Sequence, residues 1–423
     1  MRLLYLFLGY GLVPILLAAA LGRGLRDRRQ VEGLGERLGF GPARPAGGIW
    51  VHAVSVGEVQ AAAGLVRELR RRVPALPLTL TTATATGRAR ARALFGKAVD
   101  VRYLPYDLPG AVRRFLARTQ PRLGVVLETE LWPNLYRACR RAGVPLVLAN
   151  ARVSQRSVRR YRWLGRLVPE TLAGVEIAAQ SDADAARFAA LGAERGRIHV
   201  VGNLKFDVEP AAGIGQRGRE LRATLGGARP VWVAGSTHEG EEEVVLDAQA
   251  RLAAKLPRAL LVLAPRHPPR FEAVAALLRR RRVDFVTRSS GAPVAASTQV
   301  LLLDTLGELV LFYAAADAAF VGGSLVPIGG HNLLEPAALG RPVLTGPHTH
   351  NAAEVARVLI EARAAQVVRD AGGLAECLAQ LLGDEAARTE SGARGRAAVD
   401  ANTGALGRLL GLLAPRLPAG DVT

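Results

Sequence analysis

Short apolar segments alternate with longer amphipathic segments along most of this chain, and that alternation restricts the possible folds more than any other feature. The apolar segments have the length of buried strands, and the segments between them, such as 59–72 and 131–142, carry apolar residues at helical spacing. The predicted strands are 48–53, 76–81, 123–127, 144–150, 175–179, 231–234, 259–264, 284–287, 300–303, 318–321 and 342–345. Strands that alternate with helices predict parallel βαβ units, so we expect an α/β protein.

The alternation pauses once, near residues 202–207, and then starts again. We therefore expect two Rossmann-like, doubly wound parallel-sheet domains, 31–207 and 208–423, facing a cleft. An arrangement in which the last helix packs back on the first domain is also open. Because ligands of such sheets bind at the carboxyl ends of the strands, the loops that follow the strands are where a site is expected.

The N-terminal residues 1–30 form a separate segment. Residues 3–21 are an apolar run of 19 residues, followed by Arg23, Arg26, Arg28 and Arg29. A helix of that length measures about 28 Å, close to the thickness of a bilayer core. Basic charge after the apolar run is retained on the cytoplasmic side, so we expect an uncleaved anchor helix with the body in the cytoplasm. A helix lying in the interface, a cleaved signal peptide and a buried core helix are the alternatives.

Charge limits the class of partner. Lys and Arg total 56 against 37 Asp and Glu, a formal charge of +19 that favours nucleic acid, anionic lipid or a phosphorylated substrate. Aromatic residues make up only 5% and the arginines are scattered, which argues against a nucleic-acid-binding face. Two cysteines, Cys139 and Cys377, exclude a disulfide framework and a Cys-based zinc site.

The clearest ligand signal in the second half is the glycine-rich stretch 322–336, which follows a predicted strand. Backbone amides near Gly329 and Gly330, at a helix expected to start near Asn332, suit a phosphate, and Glu335 suits ribose hydroxyls. A tight strand–helix turn is the alternative interpretation. The stretch is neither a Walker loop nor G-x-G-x-x-G.

Two further loops of the second half follow strands. One offers the hydroxyls of Ser236 and Thr237, and the other offers Arg266 and His267. His238, His267 and His331 lack the spacing of a metal motif, so no metal is expected.

In the first half of the chain, polar residues also follow the predicted strands. Ser55-Val56-Gly57-Glu58 opens a helix in an arrangement suited to an anion, and no G-x-S-x-G elbow makes Ser55 a nucleophile. Other strand exits carry the carboxylates Glu128 and Glu130, then Asn150 and Arg152, and a threonine-rich run at 81–87. Gly35-Glu36-Arg37 lies between the anchor and the first strand.

Taken together and in this order, these motifs resemble the Kdo (3-deoxy-D-manno-octulosonic acid) transferases of Gram-negative bacteria. The resemblance runs from the anchor to about residue 355 and includes the stretches 202–207, 235–239, 265–268 and 329–336. It implies a GT-B fold and a metal-independent inverting transfer of Kdo from CMP-Kdo to the 6′-hydroxyl of a tetraacylated, bisphosphorylated lipid A precursor. It also implies that the protein lies on the cytoplasmic face of the inner membrane, that anionic lipids are its partners, and that it needs no cofactor besides the donor substrate.

The resemblance assigns roles to individual residues. Glu36 is expected to be the general base, and the amides of Gly329 and Gly330 to stabilise the phosphate of departing CMP. The nucleotide pocket is expected to consist of Ser236, Thr237, Arg266, His267, Asn332 and Glu335. Kdo is expected to meet the first domain at Ser55 and Gly57, with Glu128, Glu130, Arg152 and Asn203 as further candidates.

Other functions remain open at this point. A GT-B glycosyltransferase with a UDP- or GDP-sugar donor fits the same loops. A membrane-tethered nucleic-acid-binding protein fits the charge alone, and a noncatalytic scaffold leaves the polar strand exits unexplained.

Overall fold

The computed structural model describes residues 5–7, 9–11, 33–208 and 211–418. The chain divides into two compact units. The first comprises Met1–Asp207 with Thr403–Thr423, and the second comprises Val208–Asn402. The final segment, predicted to belong to the domain 208–423, therefore groups with the first unit.

The first unit is built on a parallel sheet of seven strands in the order β3-β2-β1-β4-β5-β6-β7. The strands are β1 Ile49–His52, β2 Leu78–Thr82, β3 Asp100–Tyr103, β4 Leu123–Leu127, β5 Leu146–Ala151, β6 Glu176–Ala179 and β7 Ile198–Val200. β1 pairs with both β2 and β4, with Ile49 opposite Leu78 on one side and Leu123 on the other. The strand order therefore reverses between β1 and β4.

Helices cover both faces of this sheet, which explains why its strands are apolar at consecutive positions. Ile49 and Val51 belong to one buried cluster, while the intervening Trp50 belongs to the other. The helices of the first unit are Leu34–Arg37, Val56–Arg72, Ala85–Phe95, Pro109–Thr119, Pro133–Arg141, Gln155–Arg162, Leu167–Leu172, Asp182–Ala190 and Ala405–Leu413.

The second unit repeats the plan with the order β10-β11-β9-β8-β12-β13-β14. Its strands are β8 Val231–Thr237, β9 Leu260–Pro265, β10 Phe285–Thr287, β11 Val300–Leu302, β12 Ala318–Val321, β13 Val343–Thr345 and β14 Ala365–Val367. Its helices are Ile214–Thr224, Glu241–Ala253, Pro269–Arg280, Leu309–Ala315, Leu334–Ala338, Ala353–Glu361, Ala371–Gly383 and Glu385–Asn402. Here the order reverses between β8 and β12.

The predicted α/β class and the two parallel sheets agree with this structure, but three strands had no counterpart in the prediction. They are β3, β7 and β14, and each lies at the edge of its sheet. Edge strands are short and partly exposed, so they lack the continuous apolar run by which the central strands were recognised.

The last helix, Ala405–Leu413, packs into the core of the first unit. Leu409 and Leu413 are fully buried there, in the cluster that contains Val59. The Asp207 carboxylate accepts hydrogen bonds from the amides of Gly404 and Leu406, which caps this helix.

The predicted anchor, 1–30, lies largely outside the described residues. Residues 5–7 and 9–11 are helical, and the Tyr5 hydroxyl donates to Asp107 Oδ2 at 2.7 Å. Among the residues that the structure describes, no helix has both the length and the apolar character needed to cross a bilayer.

Candidate active site

Each unit brings its polar strand exits together at the point where the strand order reverses, which is where doubly wound sheets bind ligands. In the first unit, the loops after β1 and β4 meet at this point, and in the second, the loops after β8 and β12. Glu128 follows β4, Asn150 lies near the end of β5 and Ser236 near the end of β8, and their φ values are left-handed, at 58°, 53° and 58°. Bulges interrupt the strand register near Asn150 and Ser236. Strained residues and bulges are enriched at functional sites.

Glu58 is held at the exit of β1. It lies in the first turn of helix Val56–Arg72, and its Oε2 accepts hydrogen bonds from the amides of Val54 and Ser55. Burial raises the pKa of this carboxyl and the charge of Glu128 raises it further, whereas the two amides and Lys205 oppose the rise. The Ser55–Glu58 stretch was predicted to suit an anion, but no role was predicted for Glu58 itself.

Glu128 and Glu130 follow β4 and complete a group of three acidic side chains with Glu58. Glu128 accepts from Lys205 Nζ at 3.3 Å and pairs with Arg152 Nε at 3.6 Å. Burial raises the pKa of Glu130 to about 7, and the charges of Glu58 and Glu128 add to that effect. We call these five residues, Glu58, Glu128, Glu130, Arg152 and Lys205, the carboxylate cluster.

Two asparagines shape the backbone beside the carboxylate cluster. Asn150 is fully buried, and its Oδ1 accepts from the amide of Leu204 at 3.0 Å. Asn203 Oδ1 accepts from the amide of Lys205 at 3.0 Å. Asn203, predicted to contact substrate, therefore positions the lysine backbone in this structure.

Glu36, the expected general base, has both carboxylate oxygens engaged. Oε1 accepts from Arg88 Nη2 at 2.9 Å and Oε2 accepts from the Tyr103 amide at 2.9 Å. Arg88 is itself buried, with its guanidinium over the Tyr103 ring. These contacts tie the segment around Glu36 to the edge strand β3.

Three histidines meet in the second unit. His238 Nε2 and His331 Nε2 are 2.8 Å apart with nearly parallel rings, and the His267 ring lies edge-on to His238, with the two ring centroids 5.4 Å apart. Burial, together with the charges of the neighbouring His238 and Arg266, lowers the pKa of His331 to about 4. The two facing nitrogens can form a hydrogen bond only if one donates and the other accepts, so at least the accepting ring must be neutral.

Glu241 organises the glycine-rich loop, and sequence reasoning missed it. Its buried carboxylate accepts hydrogen bonds from the amides of His238, Gly323, Ser324 and Leu325 at 2.7–2.9 Å. The anion that these loop amides bind is thus a side chain of the protein.

The amides of Gly329 and Gly330, expected to face a phosphate, are also engaged. Both donate to the Gly323 carbonyl, at 3.0 and 2.6 Å. The expectation that they are free is therefore wrong for this structure, because the loop folds back on itself. Both residues have positive φ, 110° and 76°, a backbone conformation that glycine adopts without strain.

Asn332 and Glu335 lie together beyond the loop. Asn332 Nδ2 donates to Glu335 Oε1 at 3.1 Å, and burial raises the pKa of Glu335. The helix begins at Leu334, close to the start predicted near Asn332, and Asn332 Oδ1 accepts from the Leu334 amide. Glu335 also lines a pocket of about 350 Å³ with Gly307, Val310 and Leu311.

The remaining predicted residues of the second unit surround this region. Arg266 and His267 are exposed at the end of β9, and the Arg266 charge acts on both His331 and Glu335. Thr237 is fully buried, and within the described part of the chain its hydroxyl has no hydrogen-bond partner. The structure thus groups Ser236, Thr237, Arg266, His267, Asn332 and Glu335 at the ends of three adjacent strands, β9, β8 and β12.

Comparisons with known proteins agree with this picture. The family model of the 3-deoxy-D-manno-octulosonic-acid transferases matches residues 32–208. A 3-deoxy-D-manno-octulosonic acid transferase of Haemophilus influenzae is 41% identical over 398 residues, 93% of either chain. One of Bordetella pertussis is 44% identical over 383 residues, 88% of either chain.

Among solved structures, a UDP-GlcNAc 2-epimerase from Neisseria meningitidis, bound to UDP-GlcNAc, matches with a TM-score of 0.58. The match covers 87% of this chain and 99% of the epimerase at 14% identity. That likeness concerns the fold alone, which is GT-B-like.

Proposed function

The chain belongs to the 3-deoxy-D-manno-octulosonic acid (Kdo) transferase family and is a glycosyltransferase, and from this premise we propose its substrates and mechanism. The donor is CMP-Kdo, and the acceptor is the 6′-hydroxyl of a tetraacylated, bisphosphorylated lipid A precursor. Transfer inverts the anomeric carbon and needs no metal. The observation that carries the proposal is the carboxylate cluster, which lies where the strand order of the first unit reverses. It occurs in a chain that is similar to Kdo transferases over most of its length.

The acceptor hydroxyl must lose a proton as it attacks, and two carboxylates compete for that role. Glu36 is favoured by resemblance, but both of its oxygens are held by Arg88 and the Tyr103 amide. Glu58 lies at the ligand-binding end of the sheet. Its Oε2 is held by the amides of Val54 and Ser55 and its Oε1 accepts from Ser55 Oγ at 3.5 Å, but within the described residues no arginine pairs with it, and burial raises the pKa of the carboxyl. A base is most effective when its pKa lies near the pH of the reaction, so the raised pKa favours Glu58.

The negatively charged sugar needs cationic partners in the first unit. Arg152 and Lys205 supply two cations, each held by Glu128. We assign them to the Kdo carboxylate, together with Ser55 and the backbone at Gly57. Glu130, with a pKa of about 7, is partly protonated at neutral pH and can donate to a sugar hydroxyl.

The nucleotide is assigned to the second unit. Glu335 and Asn332 are placed to bind ribose hydroxyls, and the pocket beside Glu335 has the size of a small-molecule site. Because the Gly329 and Gly330 amides are engaged, we propose that Arg266 stabilises the negative charge on the phosphate of departing CMP instead. Ser236, Thr237 and His267 complete the donor side.

We place the enzyme on the cytoplasmic face of the inner membrane. A chain of +19 charge with an apolar N-terminal run is suited to a surface of anionic lipids, where a lipid acceptor is found.

Purified protein mixed with CMP-Kdo and the lipid A precursor tests the function, with products counted by mass. Glu58→Gln is expected to lower kcat by about 10²–10⁴-fold while CMP still raises the melting temperature. Glu36→Gln is the matched comparison, and we expect it to lower stability more than turnover. Near-normal kcat for Glu58→Gln, with turnover abolished by Glu36→Gln, would return the role to Glu36.

A UDP- or GDP-sugar donor is the alternative activity. We expect CMP to raise the melting temperature of the protein and UDP and GDP to leave it unchanged. If UDP or GDP raised it and CMP did not, CMP-Kdo would not be the donor.

A further inference from the structure

One exposed helix of the first unit carries unbalanced positive charge. Helix Gln155–Arg162 and the turn after it contain five exposed arginines, Arg156, Arg159, Arg160, Arg162 and Arg166. The sequence has no Asp or Glu between Glu130 and Glu170. None of the five arginines forms an ion pair within residues 33–208 and 211–418.

Several other helices of the protein pair an exposed arginine with an acidic residue of the same helix. Arg71 pairs with Glu68, Arg357 with Glu361 and Arg394 with Glu390, each within one helical turn. Helices Pro109–Thr119 and Pro133–Arg141 also lack acidic residues, but arginines of both donate to backbone carbonyls, as Arg114 does to Leu38 and Arg140 to Ala173. Within the described residues, none of the four exposed arginines of helix Gln155–Arg162 has a side-chain hydrogen bond or an ion pair, and this sets the helix apart.

The charges are arranged on one face. Arg156, Arg159, Arg160 and Trp163 follow the spacing i, i+3, i+4, i+7, which places them along one side of a helix. Trp163 keeps a helical backbone, with φ −65° and ψ −21°, and its side chain is 85% exposed. Val158, on the opposite side, is buried in the core and fixes which face points outward.

We propose that this face, Arg156, Arg159, Arg160 and Trp163, docks on the anionic headgroups of a lipid bilayer. Arginines facing lipid phosphates gain binding free energy, and tryptophan is enriched at the membrane–water interface. A nucleic-acid partner fits less well, because stacking on bases needs several exposed aromatic rings and this face offers one.

The position of the face also connects it with the carboxylate cluster. Helix Gln155–Arg162 starts three residues after Arg152, which pairs with Glu128 at the end of β4. A bilayer against this face would lie near the strand ends where the acceptor is expected. This part of the inference rests on the proposed lipid acceptor.

Vesicle binding by the full-length protein tests the proposal. Partitioning into phosphatidylglycerol–phosphatidylcholine vesicles is compared with partitioning into phosphatidylcholine alone. The variant Arg156→Gln/Arg159→Gln/Arg160→Gln is expected to bind the anionic vesicles at least about tenfold more weakly. Gln preserves helix propensity, so the fold is expected to remain. The matched control, Arg258→Gln/Arg280→Gln/Arg369→Gln, removes the same charge from exposed sites of the second unit and is expected to bind like wild type.

A second measurement reports on the face directly. Quenching of tryptophan fluorescence by brominated lipids is expected for wild type and is expected to fall in Trp163→Phe, because Trp50 and Trp232 are fully buried and Trp132 is partly buried against the core. Equal vesicle binding by both triple variants would overturn the proposal. So would a first triple variant that binds RNA more weakly than wild type does but binds vesicles equally well.

Transfer to an acceptor dispersed in detergent separates the two hypotheses. If the first triple variant transfers Kdo normally in micelles but slowly on vesicles, both stand. If wild type binds vesicles through this face but transfers no Kdo, the docking stands and the proposed function fails.

Discussion

Glu130 shows how tertiary surroundings change the chemistry of one side chain. Its pKa is raised to about 7 by burial and by two neighbouring carboxylates. The folded state therefore binds this proton more tightly than the unfolded state does, and the group disfavours folding increasingly as pH rises from about 4.5 to 7. Glu130→Gln is expected to stabilise the protein at pH 8 by at most about 3 kcal/mol, with little effect at pH 4. Denaturant unfolding at both pH values measures this, and equal effects at the two pH values would contradict it.

His331 has the opposite dependence. Its pKa is lowered to about 4, so below pH 6.5 the unfolded state takes up a proton that the folded state refuses. Stability of the second unit is expected to fall as pH drops from about 6.5 towards 4, by at most about 3 kcal/mol from this residue. Unfolding followed against pH checks this, with His331→Asn expected to show a flatter profile. If the stability of the wild-type protein did not change between about pH 6.5 and 4, the lowered pKa proposed for His331 would be wrong.

At the scale of elements, one carboxylate connects helix Glu241–Ala253 with the glycine-rich loop after β12. Glu241 accepts hydrogen bonds from three loop amides and from the His238 amide. Glu241→Gln replaces one acceptor oxygen by an NH₂ group that faces N–H donors. We expect it to cost about 2–4 kcal/mol of stability and to weaken CMP binding, because unsatisfied buried groups are expensive. Asp247→Asn, at an exposed site on the same helix, is the control. Similar stability losses for the two variants would show that Glu241 does not hold the loop.

At the scale of the whole molecule, the chain end completes the first unit. Helix Ala405–Leu413 buries three leucines, and Arg416 Nη2 donates to Glu176 Oε1 at 2.7 Å. Truncation after Asn402 is expected to cost the first unit at least about 5 kcal/mol while the second unit remains folded.

Amide hydrogen exchange in β1 and β8 reports on the two units separately. Leu409→Ala is expected to lower protection in β1, whereas Leu378→Ala, equally buried in the second unit, is expected to lower it in β8. If the truncation lowered protection in β8 rather than β1, the assignment of the last helix to the first unit would be wrong.

The alternating α/β plan, the central strands and the polar loops at their ends could be predicted from the sequence, because strand length, helical periodicity and loop composition are local properties. The order of the motifs also identified the family. Which groups are available for chemistry depends instead on contacts between distant parts of the chain. Arg88 and Glu36 are 52 residues apart, Glu241 and Gly323 are 82 apart, and Arg416 and Glu176 are 240 apart. Local periodicity carries no information about such pairs, because they form only when the sheets bring distant loops to the same edge.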